Sequence, residues 1–137
     1  LKKIGNEILN GRKIETVDIS IIYQLIDSVL SKNPIDRKFY FKVFNKINYQ
    51  AKGEIAIEMD WKIKDFCYKY PNEFFSISET EIKDYAQRIG ELFRTEEEYP
   101  NKSAKEYIDN IMKITEKKYL KEINLFKLEL LNKVKGQ

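Results

Sequence analysis

Cys67 is the only cysteine in the chain and histidine is absent altogether. A thiol nucleophile therefore has no imidazole to take its proton, and the commonest general base and metal ligand are missing. Cys67 also falls beside Phe66 on the apolar side of a predicted helix, where a thiol is expected to be buried and structural. Carboxylates are the remaining acid-base groups. Glu54 and Glu58 stand at helical spacing with Asp60 close by, and a hydrolase working with carboxylates alone needs such a pair. Interleaved lysines, Lys62 and Lys64 among them, make solvated ion pairs the better reading. The run Glu96-Glu97-Glu98 lacks the Gly-containing, oxygen-rich spacing of a calcium loop and reads as a solvated acidic connection. No glycine-rich phosphate loop, nucleophile elbow or cysteine pair for zinc occurs. The sequence thus points away from an enzyme, and no cofactor or metal is expected.

Binding chemistry has more material. The chain holds one Trp, nine Tyr and eight Phe, concentrated in Phe39-Tyr40-Phe41, Phe66 to Tyr70 and Phe74-Phe75. Core packing accounts for most of them. Trp61, Lys64 and Tyr68 fall away from the main apolar stripe of their helix, and together they form a candidate patch for a peptide, glycan or base. A second candidate surface lies near the C-terminus. Leu120, Ile123, Leu125, Phe126, Leu128, Leu130, Leu131 and Val134 cover more than one stripe, so Leu125, Leu128 and Leu130 are expected to meet the body of the domain or a partner, which could be a second copy.

Net charge is +3, distributed unevenly: residues 1–70 are basic, 71–100 acidic and 101–137 basic. The basic outer segments leave non-specific nucleic-acid binding as an alternative. Against it, 21 of the 25 basic residues are Lys, which lacks the planar fork of Arg, and heavy use of Lys, Ile and Asn is also what an AT-rich genome produces. No stretch is long and apolar enough to span a membrane, so a soluble domain is expected. The chain opens on Leu1 rather than Met, and a cleaved targeting segment or another domain is expected upstream. A single cysteine leaves the compartment open.

These residues must be positioned by helices, because only five Gly and three Pro interrupt the chain and apolar residues recur at three- and four-residue spacing. A short helix ends at Asn10-Gly11. Asp18 caps a second, expected to run to about Lys32 with Ile22, Leu25, Ile26, Val29 and Leu30 on one face. Asn33-Pro34 opens a third, to about residue 51. A fourth spans about 54 to 70, with Ala56, Met59, Ile63, Phe66, Cys67 and Tyr70 inward. Ile55, Ile57, Met59, Trp61 and Ile63 also alternate as a strand would, which leaves a hairpin over 38–63 as a rival. Helices are preferred because the helical face continues to Tyr70 and no two-residue turn signature is present.

Ser78 and Glu81 form a capping box for the next helix, with Ile82, Tyr85, Ala86, Ile89 and Phe93 inward. Ser103 and Glu106 make a second box, from which the pattern continues to about Lys135. Unbent, that last helix would be roughly 50 Å long, against about 35 to 40 Å for a globule of this size. It must bend near Thr115 to Lys118 or protrude. The expected fold is therefore all-α: one domain over 1–137, five to six helices in an antiparallel bundle or short solenoid-like array, and a long C-terminal helix. The expected function is non-enzymatic interaction with another protein.

Overall fold

The computed structural model describes residues 1–136. Among these residues the chain is all-helical, with 81% helix and no strand. Eight α-helices follow one another: α1 (Lys2–Leu9), α2 (Ile19–Asp27), α3 (Pro34–Asn48), α4 (Gly53–Lys69), α5 (Pro71–Phe74), α6 (Glu79–Glu96), α7 (Pro100–Ile114) and α8 (Leu120–Val134). Three 3-10 turns, Ile14–Thr16, Ser28–Leu30 and Lys117–Tyr119, lie between them. The rival hairpin does not form, since residues 38–63 lie in α3, α4 and the link between them. The helix count of five to six is corrected to eight. One of the additional helices is the single turn α5, and another comes from division of the C-terminal segment.

The packing falls into two compact units, Leu1–Lys62 and the residues from Ile63 onward, with the division inside α4. In the first, the Asp18 carboxylate accepts the Ser20 N–H at 2.9 Å, and the Asn33 side chain accepts from Ile35 and Asp36. Both caps match the sequence. The second helix stops at Asp27, earlier than expected, and tightens into the 3-10 turn Ser28–Leu30. Ile22, Leu25, Ile26 and Val29 are buried, as are Tyr40, Val43, Phe44 and Ile47 of α3. α1 packs on α3 at Gly5, where an added Cβ would come within 3.0 Å of the Phe39 ring.

In the second unit the Ser78–Glu81 capping box is present in both directions, and Ile82, Tyr85, Ala86, Ile89 and Phe93 are all buried. The expected start at Ser103 is corrected. α7 begins at Pro100, with Tyr99 as the flanking residue, because proline at the first helical position gives up an N–H that has no partner there anyway. The expected long final helix is corrected to two: it breaks between Ile114 and Leu120, at the Thr115 to Lys118 stretch where a bend is one of the two expected outcomes. The Asn72 side chain holds both broken ends, donating to the Ile114 carbonyl at 3.2 Å and accepting the Glu116 N–H at 2.7 Å. Groups that a continuous helix would satisfy internally are satisfied instead from a distant part of the chain.

With the break made, α8 folds back and packs extensively on α6. Lys121 pairs with Glu79 at 2.8 Å, Gln87 donates to Glu129 at 3.0 Å, and Gly90 faces Leu130 and Lys133. Residue numbers rise together along both helices, so α6 and α8 run parallel, and α7 supplies the return between them. At Gly90 an added Cβ would lie 2.6 Å from the Leu130 carbonyl oxygen, so glycine permits an approach of the two helices that any larger residue would obstruct. Phe74 and Phe75 insert from α5 and meet the Phe126 ring edge to face, each with centroids 5.5 Å apart.

Candidate functional site

A groove of about 570 Å³ opens in the first unit, lined by the 13–22 segment and by Tyr49, Gln50, Lys52 and Ile55. Its position follows from two turns. Gly11, at φ +105°, follows the end of α1, and Gly53, at φ +58°, is the first residue of α4 after the link from α3; both values favour glycine. The Gln50 side-chain carbonyl accepts the Ile14 N–H at 2.9 Å and so ties the first connection to the second. Arg12 straps the same connection to α1. Its guanidinium donates to Glu7 at 2.7 Å and to the Thr16 hydroxyl and carbonyl at 3.1 and 2.9 Å.

Ile14, Val17 and Ile22 are buried in the floor, whereas Ile19 and Tyr49 on the rim are 55% and 75% exposed. Lys13, Glu15 and Lys52 are exposed beside them, and none of these three is in an ion pair among the described residues. An apolar floor with a mixed, uncommitted rim suits the docking of a side chain or short segment. It offers no paired acid and base for a reaction.

The residues singled out from sequence are differently placed. Trp61 is 40% exposed on the part of α4 belonging to the first unit. In the second unit Lys64 lies over the Phe93 ring at 4.3 Å and pairs with Glu97 at 3.8 Å, while Tyr68 stacks on Tyr107 at 5.5 Å. Those contacts give Lys64 and Tyr68 work inside their own unit. Of the C-terminal leucines, Leu130 is fully buried beneath α6, Leu125 is half-buried and Leu128 is 57% exposed. Leu130 therefore meets the body of its own unit.

Cys67 is fully buried, and burial pushes its thiol pKa well above the ordinary value. The neighbouring Tyr107 is raised for the same reason, and its hydroxyl donates to the Lys64 carbonyl at 2.6 Å. Neither group ionises near neutral pH. Glu58 approaches Lys62 at 4.0 Å, and the same lysine reaches Asp27 at 3.3 Å. Among the described residues, no three His, Cys, Asp or Glu side chains are grouped to hold a metal ion, and no helix is long and apolar enough to cross a membrane.

No protein-family model, curated protein or solved structure matches this chain. The groove is where the exposed Ile19 and Tyr49 stand beside the charged side chains of Lys13, Glu15 and Lys52. Sequence reasoning missed it because most of its lining lies in or beside turns. The Gln50–Ile14 bond spans 36 residues, a separation that helical periodicity does not reach. One signal was available: Ile19 follows the cap Asp18 directly, outside the stripe of Ile22, Leu25, Ile26 and Val29.

Proposed function

We propose that this chain is a non-enzymatic helical domain that binds another protein through the groove of its first unit. The observation that carries this reading is the exposed apolar rim, Ile19 and Tyr49, above the buried floor of Ile14, Val17 and Ile22. Aromatic and aliphatic anchors beside a preformed apolar depression are the usual centre of a protein interface. Supporting it, the thiol is buried and protonated, and the carboxylates Asp27 and Glu58 are engaged with lysine.

The test is a photo-cross-linking amino acid at position 49, used in extract from the source organism. Discrete protein adducts are expected, and Ile19→Asp with Ile55→Asp should abolish them without changing the helical circular dichroism. Adducts that survive those substitutions, or their absence from the otherwise unaltered chain, would refute the reading.

A further inference from the structure

We infer that the protein segment received by this groove is acidic as well as apolar and continues along the solvent face of α3. The inference rests on the groove reading and adds the chemistry of the partner. The exposed positions of α3 are Pro34, Ile35, Lys38, Lys42 and Lys46, with Tyr49 following as its C-cap. Three lysines at successive four-residue intervals lie on one side of the helix, about 6 Å apart along its axis. None of them is in an ion pair among the described residues. The one carboxylate of α3, Asp36, is already held by Lys2 at 2.6 Å. Like charges at this spacing oppose one another, so carboxylates supplied from outside would relieve the helix as well as bind it.

Tyr49 joins this strip to the groove, where Lys13 and Lys52 add two more uncommitted ammonium groups against the single carboxylate of Glu15. The imbalance extends to the whole unit. Residues 1–62 carry eleven Lys and Arg against eight Asp and Glu, whereas the remaining residues carry fourteen of each.

A phosphate backbone fits this surface less well. The two arginines of the first unit are both occupied, Arg12 by Glu7 and Thr16 and Arg37 by the Ser31 carbonyl at 2.9 Å, so no guanidinium fork is free. Ile35 and Tyr49, 78% and 75% exposed at the two ends of the strip, call for apolar counterparts, which a polypeptide supplies and a phosphate chain does not.

The experiment measures fluorescence anisotropy of a labelled glutamate-tyrosine copolymer with the full chain. Binding is expected at about 50 mM salt, falling steeply by about 300 mM. Lys38→Glu, Lys42→Glu and Lys46→Glu together should weaken it by about tenfold or more, and the corresponding Gln variants by less. Lys102→Glu, Lys105→Glu and Lys113→Glu, an equal charge change on exposed positions of α7, should leave it within about twofold. An equal loss in that control, no binding of the copolymer, or equally tight binding of mixed-sequence duplex DNA or phosphatidylserine vesicles overturns the inference. Cross-links from position 49 separate the two levels. If they persist in the triple Glu variant, the acidic partner is wrong while the groove stands; if none form in the unsubstituted chain, the groove reading itself fails.

Discussion

Two glycines sit where helices meet, and they face different obstacles. Opposite Gly5, in the first unit, stand the tip of the Phe39 ring and a methyl of Val43; opposite Gly90, in the second, stand the backbone of Leu130 and the Cβ of Lys133. A ring tip can swing by a few tenths of an ångström, but a helix backbone can yield only if the whole of α8 moves. The same contrast runs through both units. The first has turns strapped by Arg12 and Gln50, an open groove and all of the net positive charge. The second has a parallel helix pair in close contact, rings set edge to face around Phe126 and balanced charge. Backbone contact at Gly90 fixes where α8 lies in the second unit, whereas the first unit gathers exposed apolar and cationic groups around one groove.

The largest test of this contrast is Phe126→Ala. The ring is fully buried against Phe74 and Phe75, and its loss should cost about 3–5 kcal/mol, measured as a lowered denaturant midpoint. Gly90→Ala should come next. Alanine gains up to about 1 kcal/mol of helix propensity, but the Leu130 oxygen at 2.6 Å must be displaced, for a net loss of about 1–3 kcal/mol. Ser78→Ala removes the side chain that accepts the Glu81 N–H and should cost about 1 kcal/mol. Gly5→Ala is the counterpart with the smallest effect. The propensity gain and the displacement of Phe39 nearly cancel, so the change should stay within about 0.5 kcal/mol. If Gly5→Ala proves as damaging as Gly90→Ala, the distinction between the two units fails.

Local features were legible in the sequence. Asp18, Asn33 and Ser78 cap the helices they were expected to cap, and the apolar stripe Met59, Ile63, Phe66 and Cys67 is fully buried, because caps and periodicity act within one or two turns. Remote features were not. Length alone required a bend near Thr115 to Lys118 or a protruding end, but the Asn72 amide that satisfies the break lies more than 40 residues upstream. Gly90 read as a tolerated helix glycine because nothing local reveals that α8 lies against it. Lys64 and Tyr68 looked free for the same reason: their partners Phe93, Glu97 and Tyr107 come from other helices. The groove belongs to this class, since turn residues acquire a shared wall only once Gln50 reaches Ile14.

The parallel pairing of α6 and α8 also bears on how the chain matures during synthesis. A helix emerging from the ribosome can bury its apolar side only against partners already made. The Gln87–Glu129 bond spans 42 residues, and the close seat of Gly90 waits for Leu130 and Lys133. The side of α6 around Gly90 therefore lacks its α8 cover until α8 itself has been made. In the first unit the Gln50–Ile14 bond can close when Gln50 emerges, so the nascent chain carries a finished groove-forming link while its second unit still exposes uncovered apolar surface. Until α8 docks, that surface is open to self-association.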